Sequence, residues 1–186
     1  MLEKHLYEIH IAIIRKDAEI LCQNIEEKNN NFLQLLTNCF TLFHHLIPVY
    51  NKNSQILILG SFPSVKSREG RFFYHHKQNR FWKVLSTIVN DVLPETIDEK
   101  KDFLLKNHIA VWDVIASCDI EGSSDSSIKN AVPNDFSDIL KAAPIRKIYT
   151  NGGTAYKLYH KYCEKVTGIK AMKLPSTSPA NASYSL

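Results

Sequence analysis

Gln55-Ile56-Leu57-Ile58-Leu59-Gly60-Ser61-Phe62-Pro63-Ser64 is the stretch on which the fold turns. Ile56 to Leu59 form an unbroken apolar run with no polar face, as expected of a strand covered on both sides in a parallel sheet. Gly60 and Pro63 then mark a strand-to-loop turn. Downstream, Phe81, Leu85, Ile88 and Val92 recur at helical spacing beside Trp82 and Val89, until Pro94 stops the run. Thr96 and Glu99 form a capping-box signature for a helix reaching about Asn107, and Ile109 to Trp112 read as a second strand. The alternation continues with a helix near Asp135 to Ala142, a strand Lys147 to Tyr149, a helix Thr154 to Lys165 and a strand Ile169 to Leu174.

Strands alternating with helices predict an α/β fold: a three-layer α/β/α sandwich around a central four-stranded parallel sheet, joined by right-handed crossovers. In such folds functional groups collect beyond the carboxyl ends of the strands. The loops to watch are therefore Gly60 to Arg80, Asp113 to Asn134, Thr150 to Gly153 and Pro175 to Ser185. Upstream, residues 1 to about 43 read as a helical N-terminal extension, with helices Glu3 to Glu27 and Phe32 to Phe43 split by Lys28-Asn29-Asn30-Asn31. The α/β domain is expected over 44–186.

With 186 residues, 44% of them apolar, the chain can bury one sizeable core. A formal net charge of +4 suits a polyanionic partner without requiring one. Cys22, Cys39, Cys118 and Cys163 are widely separated and contain no CxxC pair, so spacing supports neither a zinc finger nor a ligated iron–sulfur cluster. They read as free thiols of a cytoplasmic protein with no metal and no cofactor. The most apolar stretch, Phe32 to Val49, carries Gln34, Asn38, His44 and His45, which a membrane span would rarely tolerate, and no signal peptide is visible.

The long first loop carries the chemistry. Gly60-Ser61-Phe62-Pro63, followed by Phe73-Tyr74-His75-His76-Lys77-Gln78-Asn79-Arg80-Phe81-Trp82, resembles the first motif of the uracil-DNA glycosylase superfamily, in the form used by its hypoxanthine (deoxyinosine) branch. The resemblance extends through Trp112-Asp113-Val114, Gly122-Ser123-Ser124-Asp125, Asn151-Gly152-Gly153 and Pro175-Ser176-Thr177-Ser178-Pro179-Ala180-Asn181. It covers roughly His45 to the C-terminus. Members continue into a closing helix, so this domain is expected to lack one.

The resemblance implies a DNA glycosylase acting on a deaminated base, hypoxanthine or uracil, as a monomer with damaged DNA as its partner. Phe62 stands where other branches place a water-positioning Asp or Asn, and a phenyl ring cannot do that work. The resemblance assigns catalysis to Asn79, whose side-chain carbonyl would accept from the attacking water. Lys77 stands in place of the branch's usual Pro, which loosens the turn before Asn79. Gly60, Ser61, Phe62, Pro63, Phe73, Tyr74, His76 and Asn151 are the candidate base-binding residues: the aromatics offer a flat surface to a flipped nucleotide, and the others offer hydrogen bonds. Asn151, Ser61 and the Asp113 loop are where choice between bases would lie.

Ser176, Thr177, Ser178 and Asn181 resemble the superfamily's second motif, which grips phosphates. Lys66 and Arg80 belong to a basic cluster with Arg68, Arg71, Lys77 and Lys83, suited to the same purpose. Trp82 begins an amphipathic helix and reads as core. His76 stands open between binding the base and a structural hydrogen bond. Two rival readings remain: a damage-binding relative that does not cut, and a nucleoside hydrolase on a similar frame.

Overall fold

The computed structural model describes residues 41–181. Strand β1 covers Leu42–Phe43, β2 covers Ile56–Gly60, and a short helix α1 follows at Val65–Glu69. Helices α2 (Phe81–Val89) and α3 (Ile97–Lys106) lead to β3 (Ile109–Asp113) and, one residue later, to β4 (Ile115–Asp119). A 3-10 turn at Asp125–Ser127 precedes β5 (Lys129–Pro133) and α4 (Ser137–Ala142). The chain continues through β6 (Lys147–Asn151), α5 (Gly153–Tyr162), α6 (Glu164–Thr167) and β7 (Ala171–Leu174).

Four strands form a parallel sheet in the order β3-β2-β6-β7. Strand β2 lies inside it, with Ile56 opposite Ile109 on one side and Lys147 on the other. Its side chains feed two separate cores. Ile58 packs with Phe72, Phe73, Phe81, Trp82 and Leu104, while Leu57 and Leu59 pack with Phe136, Ile139, Ile148 and Tyr159. Helices α2 and α3 thus cover one face and α4 and α5 the other, which is the expected three-layer sandwich. Burying a side chain such as Leu57 contributes about 2 kcal/mol, so a run with no exposed face is a strong determinant of the layering.

Several expectations need correction. The loop predicted for Asp113 to Asn134 contains β4 and β5, which pair antiparallel with each other and with β1 in a second, three-stranded sheet. Neither strand announces itself: Lys129-Asn130-Ala131-Val132-Pro133 has Val132 as its one strand former, and the register of β4 on β5 is broken by shifts. The helix predicted through Phe43 is replaced at its end by β1, and its earlier part, with the helix Glu3 to Glu27, lies outside the described residues.

The first loop hides α1, whose Ser64 hydroxyl accepts from the Ser67 N–H at 3.2 Å. Helix α2 ends at Val89 because Asn90 turns left-handed at φ 54°, several residues before Pro94 could act. The helix predicted from Thr154 to Lys165 breaks at Cys163 into α5 and α6. Strand β7 starts two residues later than predicted, at Ala171, and α4 starts at Ser137, whose N–H the Asp135 side chain caps at 2.9 Å.

The second sheet matters because β3 runs almost directly into β4. Val114 N–H donates to the Gly60 carbonyl at 2.9 Å and Ile115 N–H to the Ser61 carbonyl at 3.1 Å. Strand pairing therefore continues past the end of β2 and holds the start of the first loop in place.

The Tyr159 hydroxyl, buried under α5, donates to the Ile169 carbonyl at 2.8 Å and shares a 2.6 Å bond with the Thr167 hydroxyl, tying α5 to the approach to β7. Tyr159→Phe is expected to cost about 1–3 kcal/mol in urea unfolding, since it strands buried polar atoms without changing shape. An unchanged midpoint would refute this tie.

Candidate active site

Beyond the carboxyl ends of β2, β3 and β6 lies a cleft of about 510 Å³. Of the residues singled out in the sequence, Gly60, Ser61, Phe62, Pro63, Phe73, Tyr74, Asn79, Asn151, Ser176, Ser178 and Asn181 line it. Lys66, His76, Arg80 and Thr177 are not among its lining residues. Asp113 and Asp125 line it as well.

Asn79 is held from three directions. Its Oδ1 accepts from the Phe81 N–H at 3.0 Å and from the Thr177 hydroxyl at 2.9 Å. The Thr177 hydroxyl accepts in turn from Asn151 Nδ2 at 2.8 Å, while Asn151 Oδ1 accepts from the Thr177 N–H at 2.9 Å. Backbone N–H groups can only donate, so both amides have one possible orientation. The expected role of the Asn79 carbonyl must therefore be revised: its two lone pairs are taken, and Nδ2 is the end that no described residue bonds. Before it, the Asn79 N–H closes a turn onto the His76 carbonyl at 2.8 Å, with Lys77 at the position where Pro would preset φ. The turn forms with Lys77 in place.

The aromatic wall is built under local strain. Tyr74 sits in the left-handed region at φ 51°, as does Arg71 at 50°, a conformation costly for bulky residues. This turn stacks the Tyr74 ring on Phe81 with centroids 3.8 Å apart. Phe62, only 6% exposed, meets the edge of His44 and lies 5.6 Å beneath the Arg68 guanidinium. Burial pushes His44 down to about 4, so it stays neutral, with Nε2 donating to the Ile115 carbonyl and Nδ1 accepting from the Leu46 N–H.

At the floor, a side chain on Gly60 has no room: its Cβ would lie 2.3 Å from Asp113 Oδ1. Asp113 is 4% exposed, and its Oδ2 and the Tyr74 hydroxyl are buried without any hydrogen-bond partner. Burial, with a further push from Asp125, raises the Asp113 carboxyl to about 8. Burial first, and then Asp113, push the Tyr74 phenol far above its usual range. Asp125 is an exposed residue, yet desolvation of its carboxyl outweighs the 2.7 Å bond from Ser61 and raises it too. Sequence reading named the loop Asp113 to Asn134 and the motif ending at Asp125 but gave neither carboxyl a role; for Asp113 the available signal was an acidic residue ending an apolar strand.

Much of the basic cluster is spent on structure. Arg80 donates to the carbonyls of Asn181 at 2.7 Å and Ser178 at 3.4 Å, bracing the last loop. Arg68 donates to the Pro63 carbonyl at 2.7 Å, and Lys66 pairs with Glu69 on the surface of α1. His76 Nδ1 accepts from the Gln78 N–H at 3.2 Å. Gly152, at φ 105°, lets Ser176 approach to 3.0 Å of where its Cβ would be, and α5 opens there without a side-chain cap. Among the described residues no three His, Cys, Asp or Glu side chains gather as metal ligands would, and no helix is long and apolar enough to cross a membrane.

Residues 47–186 match the family model of the uracil DNA glycosylase superfamily. A protein of Methanosarcina acetivorans named hypoxanthine DNA glycosylase is 36% identical over 74% of this chain and 87% of its own length. One of the same name from Methanosarcina barkeri is 33% identical over 72% of this chain and 85% of its own. The fold is similar, at a TM-score of 0.68, to a solution NMR structure from Methanosarcina acetivorans described as a candidate uracil DNA glycosylase. That likeness carries 32% identity and covers 79% of this chain and 91% of the other.

The raised Asp113 carboxyl has a consequence for stability. Between the usual carboxylate value near 4 and its folded value of about 8, the folded chain must hold a proton that the unfolded chain releases. The acid form's contribution is fully present below about pH 4 and is lost progressively as pH rises to about 8. Asp113→Asn removes this linkage. Thermal unfolding should show the variant gaining on the wild type from pH 4 to 8; a gap that does not vary with pH would contradict the assignment.

Proposed function

Because the chain belongs to the uracil-DNA glycosylase superfamily, we propose that it is a monofunctional DNA glycosylase hydrolysing the bond between deoxyribose and hypoxanthine. The observation that carries this reading is the cleft that joins an aromatic wall to a fully oriented Asn79, supported by two relatives named hypoxanthine DNA glycosylase. A cleft of about 510 Å³ suits a single flipped nucleotide.

In this reaction the C1′–N bond breaks with its electron pair leaving on the base, and the sugar gains oxocarbenium character. Water bonds to C1′ and gives up a proton, while the base takes one up. So electrophilic a centre needs its water placed more than deprotonated. Asn79 Nδ2 donates to one lone pair of that water and leaves the other to attack, while Thr177 and Asn151 hold the amide still. Phe62, Phe73 and Tyr74 bind the base by surface contact. Ser176, Ser178 and Asn181, beside the uncapped start of α5, receive the phosphates of the flipped strand. The absence of lysine from the cleft lining among the described residues supports hydrolysis without a Schiff-base step.

Oligonucleotides carrying one deoxyinosine or one deoxyuridine test this reading. Hypoxanthine release is expected, with strand scission only after alkali and with deoxyuridine the poorer substrate. Asn79→Ala should lose about 100-fold in single-turnover rate, as expected of a misplaced reactant. Thr177→Val, which removes one oriented hydrogen bond, should lose about tenfold. DNA bound without release would point to the damage-binding relative, and preference for free nucleoside to the nucleoside hydrolase.

A further inference from the structure

We propose that Asp113 acts in this reaction as an uncharged carboxylic acid that donates its carboxyl O–H to a carbonyl oxygen of the departing base, and that this bond separates deaminated bases from their amino-bearing parents. The proposal rests on the glycosylase reading above and adds to it the residue that inspects the base.

The geometry points there from several sides. Asp113 lines the cleft floor, and its Oδ1 lies 2.3 Å from where a Gly60 Cβ would be. Oδ2 is buried, lines the cleft through its residue and has no partner in the protein. An unmet buried polar atom is rare in a folded chain and is expected where a ligand supplies the partner. Among the described residues the other such atom in the cleft is the neighbouring Tyr74 hydroxyl, 3.4 Å from where a Gly60 Cβ would be.

The surroundings keep Asp113 in its acid form. The titratable groups acting on it are Tyr74, which is neutral, and Asp125, which is a like charge. No Lys, Arg or His among the described residues forms an ion pair with it. Of the two carboxyls in the cleft, Asp125 has the Ser61 hydroxyl as a donor at 2.7 Å. Asp125 therefore carries the negative charge with less penalty, and the proton resides on Asp113. An anionic Asp113 would repel a base leaving with an electron pair, whereas its O–H stabilises it, as other buried neutral carboxyls do for oxyanions.

Selectivity follows from the same proton. Deamination replaces an exocyclic amino group with a carbonyl oxygen. That oxygen accepts from the carboxyl O–H, which the aromatic amino group of the parent base, a donor, cannot do. If the proton crosses to the base, the proton released by the attacking water restores it, and the sum remains base plus abasic site.

Single-turnover release of hypoxanthine from deoxyinosine DNA between pH 6 and 9.5 tests the proposal with wild type, Asp113→Asn and Asp113→Ala. The wild-type rate should fall as pH passes about 8. Asp113→Asn keeps a donor of the same shape and should retain most of the rate with no alkaline fall. Asp113→Ala should lose about 100-fold at every pH, the usual cost of one preorganised donor. The proposal is overturned if Asp113→Asn shows the wild-type alkaline fall or drops as far as Asp113→Ala. Should Asp113→Ala not fold, wild type against Asp113→Asn still decides. A wild type that releases no base rejects the glycosylase reading itself, which is distinct from release that ignores residue 113.

Discussion

The side chains Ile56 to Leu59 divide between two apolar layers, so β2 can satisfy its backbone only by pairing with β3 on one side and β6 on the other. That constraint fixes where polar chemistry is possible. Nothing charged can sit along the strand, and the first polar groups occur where the three strands end together. Gly60 takes this furthest: without a side chain it lets the Asp113 carboxyl close against the backbone. The cleft is thus the place where the apolar run of β2 gives way to hydrogen-bonding groups.

Two kinds of polar group meet there, and they differ in how they are satisfied. Asn79, Thr177 and Asn151 saturate one another in a directed chain, which removes rotational freedom from each. Asp113 Oδ2 and the Tyr74 hydroxyl are left unsatisfied, which costs stability in the free protein. The first arrangement suits a group that must be in one place, and the second suits groups that wait for a ligand. The left-handed Tyr74 adds to the same cost, strain concentrated where the ligand is expected.

Most of the large sheet was legible because buried parallel strands leave uninterrupted apolar runs: Ile56 to Leu59 and Ile109 to Trp112 each became a strand, as did the less apolar Lys147 to Tyr149. The Thr96 and Glu99 capping box was equally plain, and both of its bonds form. Strands β1, β4 and β5 were not legible, since they combine short length, broken register and residues such as Lys129 and Asn130 that local preference sends to turns. At the site, motif resemblance brought Asn79, Asn151 and the last loop into view. It did not show that Arg80 would turn inward to brace that loop, because a cation's partner depends on which carbonyls the fold leaves open. Nor could it show that Asp113 would be dry, since burial is a property of neighbours contributed by the whole chain.

The Thr177 bridge ties positions that lie 98 residues apart in sequence, and Thr177 belongs to a loop resting on an edge strand with few buried side chains. Such segments open locally at far lower free energy than the sheet behind them. The amide of Asn79 then loses its lock while the core remains intact. On the proposed role of Asn79, activity is therefore expected to fade on heating with the fraying of one loop, before the domain melts.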